Sequence, residues 1–212
     1  SNQGDFIKTI ISSVLSSIVM GAVLAIIVLA LFLKDVRPTI VVAFSIPFSV
    51  LFALVIMYFT GININVMSLA GLCLGIGMLV DNSVVVMENI YRLRNKGLSA
   101  PRAAVQGTKQ VLGPIIASTI TTICVFLPMV YTSGTVSQML IPFSFTISYS
   151  LIASLLVAIT VVPTMGSIML KKVKNPKHKL FDKIKDAYGK SLEFFLKHKA
   201  IPLIIAIGLL VV

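Results

Sequence analysis

The sequence predicts an all-α integral membrane protein with five transmembrane helices, an interfacial amphipathic helix and the start of a sixth transmembrane helix. Two observations lead to this fold class. The 212 residues are 57% hydrophobic and 12% charged, with a mean hydropathy of +1.02, so a soluble domain would lack polar residues to face water. The hydrophobic residues are also gathered into runs of about 20 or more, the length of helix that crosses the hydrocarbon of a bilayer.

Five apolar runs have the length that spanning requires. They cover residues 10–33, 38–59, 66–91, 111–131 and 140–170. A sixth run begins near Ala200 and reaches Val212, so we expect the chain to be a piece of a longer protein. Residues 1–171 are therefore predicted to form a transmembrane bundle, and residues 200–212 to start the next transmembrane helix.

Residues 172–199, between the fifth and sixth runs, form a basic segment with an amphipathic pattern. Its apolar residues recur at three- and four-residue steps, and charged residues take the opposite face. The apolar positions are Phe181, Ile184, Tyr188, Leu192 and Phe195. This pattern predicts a helix on the cytoplasmic surface of the membrane, where its lysines suit anionic headgroups. A soluble linker helix is the alternative interpretation.

The basic residues, which give the chain a net charge of +11, fall on one side of the predicted bundle. They occupy the links after the first, third and fifth runs, whereas the other two links, FTGININ and YTSGTVSQ, carry no charge. Lys8 is the exception. The positive-inside rule makes the basic side cytoplasmic. Because the basic residues flank apolar runs and form no separate domain, we do not expect binding to nucleic acid.

One acidic residue, Asp81, stands deep in the third run, in the stretch GIGMLVDNSVVVMENI over residues 75–90. Arg92 follows eleven residues later, which is about 16 Å along a helix, or half the hydrocarbon thickness. Inserting a central Asp costs about 2.5–3.5 kcal/mol, and intramembrane acids mark function more often than structure. Lipid disfavours the charged carboxylate and a nearby cation favours it, so Asp81 is predicted to take up and release a proton.

Polar and small residues follow two stripes along the predicted third helix. Gly77 and Glu88 share the face of Asp81. The neighbouring stripe consists of Gly71, Gly75, Asn82 and Asn89. Glycines allow close helix packing and asparagines bond across it, so Gly71, Gly75 and Gly77 are predicted packing positions around the site. The hydroxyls of residues 118, 119, 121 and 122, in the fourth run, have two equally good interpretations. They extend a polar path through the bundle, or they bond to the backbone of their own helix.

The stretch GLCLGIGMLVDNSVVVMENIYR, over residues 71–92, resembles the fourth transmembrane helix of resistance–nodulation–division (RND) transporters. It is most similar to the branch that exports hydrophobic and amphiphilic drugs. Three further stretches support the resemblance, which covers essentially the whole chain: FLKDVRPTIVVAFSIPFSV, VFLPMVYTSG and VVPTMGSIML. The resemblance implies that the chain holds family spans two to six, the interfacial helix and the start of span seven.

The resemblance also implies roles for individual residues. Asp81 matches the proton-carrying aspartate, and Glu88 matches an acid near the cytoplasmic end of the same helix. Many drug exporters have a second aspartate where this chain has Asn82, which leaves the number of protons open while keeping Asn82 in the expected proton-translocation site. The cationic partner of Asp81 would lie in the second half of the transporter. The family further implies a homotrimer with an extracytoplasmic adaptor in a bacterial cytoplasmic membrane.

Two other classes of function compete with proton-driven export. A sterol-sensing-type or protein-translocation module shares this five-helix unit, but a sensor does not need Asp81 and Glu88 on one face. An intramembrane aspartyl protease needs two catalytic aspartates from different helices, and the sequence has one deep acid. Cys73 and Cys124 lie in apolar runs without a CxxC or His–Cys cluster. We therefore expect neither enzyme activity, nor a metal site, nor a cofactor.

Overall fold

The computed structural model describes residues 3–33, 35–171, 188–194 and 196–197. The chain divides into two compact units, Ser1–Val173 and Lys174–Val212. The first unit contains helices α1 (Gln3–Leu33), α2 (Val36–Thr60), α3 (Val66–Asn95), α4 (Ala100–Phe126), a short 3-10 helix (Leu127–Tyr131) and α5 (Ser137–Met169). No strand occurs among the residues that the structure describes. The predicted all-α class is therefore confirmed.

Four of these helices are long and apolar enough to cross a membrane: α2, α3, α5, and α4 together with the 3-10 helix. Helix α1 has 31 residues, but the apolar stretch that its described side chains establish is the shorter Val19–Val28. The predicted number of five spans thus stays a prediction. In the second unit, residues 188–194 and 196–197 are helical and exposed. The rest of the basic segment and the sixth apolar run lie outside the described residues.

The link between α2 and α3 is a tight turn that the local sequence determines. Gly61 ends α2 with a φ of +71°, in the left-handed region that favours glycine. Asn65 and Ser68 then form a reciprocal capping box at the start of α3. The Ser68 N–H donates to Asn65 Oδ1 at 2.8 Å, and the Asn65 N–H donates to Ser68 Oγ at 2.7 Å. The two helices are consequently antiparallel neighbours.

Helix α4 begins earlier than its apolar run predicts. The run starts at residue 111, whereas the helix starts at Ala100, with Pro101 at a first-turn position where a missing N–H costs little. Pro114, which is near the start of the apolar run, consequently lies inside α4. Hydropathy locates the part of a helix that lies in hydrocarbon, and polar residues extend α4 beyond that part.

Helices α3 and α5 form the most extensive contact in the bundle, and α5 also packs against α2 and α4. The larger core cluster joins Val86, Met87 and Ile90 of α3 to Ala158 and Val162 of α5. These five residues are fully buried. A central α3–α5 pair therefore fixes the rotation of α3 about its own axis, which decides where the polar residues of α3 point.

Candidate functional site

One face of α3 packs so closely on α5 that only glycine fits at two positions. A Cβ added to Gly71 would lie 2.8 Å from the Phe143 carbonyl oxygen, and one added to Gly75 would lie 2.6 Å from Ser150 Cβ. Carbon atoms in contact normally stay about 3.5–4.0 Å apart. Gly71 and Gly75, two of the predicted packing positions, thus lie directly at the α3–α5 contact, where they let the two backbones approach.

Asn82 lies on this same packed face and joins three helices. Its side chain is 8% exposed, and its Nδ2 lies 3.4 Å from both Thr119 Oγ1 of α4 and Ser154 Oγ of α5. The side chain of Asn82 is an amide, which does not ionise. Asn82 therefore binds neighbouring helices, on a different side of α3 from the carboxylate of Asp81.

Four hydroxyls of α4 were predicted either to extend a polar path or to bond to their own helix backbone, and their hydrogen bonds distinguish these two interpretations. Ser118, Thr121 and Thr122 each donate to a backbone carbonyl three or four residues earlier in their own helix. Thr119, in contrast, is buried and accepts the hydrogen bond from Asn82. Backbone bonding within the helix thus accounts for three of the four hydroxyls, and the fourth belongs to the contact between helices.

A second polar contact joins α3 to α4 closer to the C-terminal end of α3. Asn89 Nδ2 donates to the Gly107 carbonyl at 2.7 Å and to Gln110 Oε1 at 3.1 Å, while Arg92 Nη2 donates to Asn89 Oδ1 at 2.6 Å. A Cβ on Gly107 would meet Ile90 Cγ1 at 2.9 Å. The sequence did not predict the role of Gly107 and Gln110, because the side of α4 that faces Asn89 depends on the rotation of both helices in the bundle.

Asp81 occupies the opposite face of α3 and is exposed in the described chain, as are Gly77 and Glu88. It is the sixteenth of the 30 residues in Val66–Asn95, so it lies at the middle of the helix. Its carboxylate lines a groove of about 490 Å³ between α3 and α1. From α1 the groove is lined by Ser17, Gly21, Ala22, Leu24 and Val28, and from α3 by Cys73, Ile76, Gly77, Val80, Asp81 and Val84.

Gly77 differs from the other two glycines predicted to pack around the site. Among the described residues, no atom lies within 4 Å of the position that a Cβ on Gly77 would occupy. Gly75 and Gly77 are two residues apart, which rotates them by about 200° around the helix. Gly77 therefore widens the groove beside Asp81, whereas Gly75 brings α5 close.

The described residues contain no group of three His, Cys, Asp or Glu side chains that could hold a metal ion. The chemistry that the site offers is that of one carboxylate, set at the centre of an apolar helix and open to a groove. A second carboxylate, Glu88, lies seven residues further along, or about 10 Å toward the C-terminal end of α3. The two carboxylates lie on nearly the same face of α3.

Comparison with known proteins gives a family match and several similar relatives. Residues 1–212 match the family model described as the AcrB/AcrD/AcrF family. The chain is 38% identical over 193 residues to the swarming motility protein SwrC of Bacillus subtilis (strain 168), and 33% identical over 189 residues to the multidrug resistance protein MdtC of Escherichia coli (strain K12). The matches cover 87% and 86% of this chain, and 18% of each of those proteins.

The chain thus spans about a fifth of the length of the curated relatives that it matches. The family match includes every residue of the α3 face that carries Asp81 and of the opposite face that packs on α5. The chain therefore belongs to the AcrB/AcrD/AcrF family of RND transporters.

Proposed function

We propose that this chain is the transmembrane part of a proton-driven RND exporter in which Asp81 carries the proton. The observation that supports this function best is the position of Asp81. It lies at the middle of an apolar helix, and its carboxylate faces a groove while the opposite face of the helix is tightly packed. A carboxylate held only for structure would be expected among hydrogen-bond donors in the packed interface, as Asn82 is held between Thr119 and Ser154.

The proton acts through the charge of Asp81. The ionised carboxylate attracts a cation in the second half of the transporter, and protonation removes that attraction, so the relative energies of two arrangements of the halves change. Because Asn82 and Asn89 connect α3 to its neighbours, α3, α4 and α5 move together. That motion drives the extracytoplasmic part through its binding and release states.

Glu88 has an auxiliary role in this scheme. It lies on nearly the same face as Asp81, two helical turns nearer the cytoplasmic end. Protons leaving Asp81 for the cytoplasm pass close to Glu88, which transfers them to water beyond Arg92. The amide of Asn82 does not take up a proton, so each transport cycle uses one proton at positions 81 and 82, and Asp81 carries it.

The remaining features of the exporter follow from the resemblance and from the charge pattern. The basic links face the cytoplasm of a bacterium, and the transporter crosses its cytoplasmic membrane several times. The substrates are hydrophobic or amphiphilic compounds, and the complete transporter works as a homotrimer with an extracytoplasmic adaptor. MdtC is named for multidrug resistance, which favours export over a sterol-sensing or protein-translocation role.

The test is Asp81→Asn in the full-length transporter, with export of a fluorescent amphiphile followed in cells whose proton gradient is maintained. Proton-driven export is expected to be lost at an unchanged amount of transporter in the membrane. Asp35→Asn is the matched control, since Asp35 accepts a bond from the Arg37 N–H at the start of α2 and Asn caps a helix about as well as Asp. Export that persists in Asp81→Asn and still requires the gradient would show that Asp81 is not the carrier.

A further inference from the structure

A second groove lies between α4 and α5, and it shares no residue with the groove beside Asp81. Its volume is about 670 Å³, and it is open on one side. Its lining is Pro101, Ala104, Val105, Thr108, Lys109 and Leu112 of α4, and Ile159, Thr160, Pro163, Thr164 and Ser167 of α5. Val105 is 64% exposed, so the apolar wall of this groove is accessible from the surface of the described bundle.

The contacts of α3 with α4 place this groove along the membrane normal. Asn89 bonds to Gly107 and Gln110, so Lys109 of α4 lies at the level of Asn89, about one helical turn inside Arg92. If Arg92 marks the cytoplasmic edge of the hydrocarbon, Lys109 reaches the headgroup layer with its flexible chain. Leu112 lies one further turn inward, within the hydrocarbon. The groove thus extends from the headgroups into the acyl-chain region.

The charges on the groove are of one sign. Lys109 lines it, and Arg102, seven residues earlier on nearly the same side of α4, is exposed at its cytoplasmic end. Neither α4 nor α5 contains an Asp or Glu. The hydroxyls of Thr108, Thr160, Thr164 and Ser167 donate to carbonyls of their own helices. The free donors for a ligand are therefore the two cationic side chains, which suit a phosphate.

We propose that this groove binds one anionic phospholipid of the cytoplasmic leaflet. Its phosphate pairs with Lys109 and Arg102, and an acyl chain lies along Val105, Leu112 and Ile159. Basic pockets between transmembrane helices on the cytoplasmic side recognise anionic headgroups by the same combination of charge and apolar wall. A neutral amphiphile would use the wall but not the two cations. This site is independent of proton binding at Asp81.

The experiment uses the full-length transporter in lipid nanodiscs with phosphatidylglycerol that carries a photoactivatable diazirine in one acyl chain. Cross-linked peptides are expected to map to residues 105–112 and 159–163. The same probe with a phosphatidylcholine headgroup is expected to label them several-fold less. Lys109→Gln is expected to reduce phosphatidylglycerol labelling about fivefold, because one cation near the surface contributes about that factor. Lys96→Gln, an equal charge change in the α3–α4 link, leaves labelling unchanged.

Val105→Trp provides a second variant that fills the apolar wall and keeps both cations, and it is expected to abolish labelling within the groove. Equal labelling by the two headgroups would overturn the proposal, because the groove would then hold any boundary lipid. Equal effects of Lys109→Gln and Lys96→Gln would overturn it as well. Absence of labelling in the groove, with labelling elsewhere on the transporter, would also overturn the proposal, because another part of the protein would then cover α4 and α5.

Discussion

The contact between α3 and α5 gives a stability prediction with a matched control two residues away. In Gly75→Ala the new Cβ would lie 2.6 Å from Ser150 Cβ, about 1 Å closer than carbon atoms approach in contact. Because Ser150 Cβ is fixed to the backbone, a rotamer change does not relieve the clash, and the helices must separate. Overpacking of this kind costs about 1–3 kcal/mol.

Gly77→Ala is the control, since no described atom lies within 4 Å of its Cβ position. Both substitutions gain the same intrinsic helix preference of about 1 kcal/mol, so this gain cancels when the two variants are compared. The free energy of unfolding of Gly75→Ala is therefore expected to be about 1–3 kcal/mol below that of Gly77→Ala. Adding Ser150→Gly to Gly75→Ala removes the clashing Cβ and is expected to restore part of the loss.

The assay is thermal unfolding of the full-length transporter, purified in one detergent, with helix content followed by circular dichroism. The expected order of melting temperature is Gly75→Ala lowest, then the double variant Gly75→Ala/Ser150→Gly, then Gly77→Ala. Equal melting temperatures for the two single variants would refute the assignment of Gly75 to the packed face of α3. A lower melting temperature for Gly77→Ala than for Gly75→Ala would reverse the two faces.

Three further predictions concern the polar contacts of α3. Asn82→Ala leaves Thr119 without its hydrogen bond and is expected to destabilise the transporter by about 1–3 kcal/mol in thermal unfolding, and an unchanged melting temperature would contradict the three-helix contact. Asn89→Ala is expected to loosen α4, seen as faster hydrogen exchange around Gly107, whereas equal exchange rates would argue against this contact. Arg94→Lys is expected to speed exchange at the end of α5, because one ammonium cannot replace a guanidinium that bonds to the carbonyls of residues 98, 170 and 171.

Hydropathy predicted the helical class and the approximate position of α2, α3 and α5, because a helix that crosses hydrocarbon must be apolar over its whole buried length. It misplaced the start of α4, where the residues from Ala100 to Gln110 are helical but too polar to belong to an apolar run. Hydropathy does not predict a helical extension that lies outside the apolar run. Such an extension depends instead on contacts such as those of Gly107 with α3.

For the candidate site as well, the sequence predicts some residues but not their contacts. Asp81 was predicted as a site residue because an acid in an apolar run is conspicuous, and helical phase predicted that Glu88 shares its face. The partners of the asparagines were not found, because contacts between residues such as Asn82 and Ser154 depend on the rotation of each helix in the bundle. For the same reason Gly75 and Gly77 appear equivalent in sequence, whereas the structure places one against α5 and the other in an open groove.

The most direct test of the central claim is proton movement through the full-length transporter in proteoliposomes. An imposed pH gradient and an internal pH dye report proton flux when a transported amphiphile is added. The wild type is expected to show substrate-dependent proton flux, and Asp81→Asn to show none while still binding the amphiphile. Substrate-dependent proton flux at the wild-type rate in Asp81→Asn would contradict the assignment of the proton to this carboxylate.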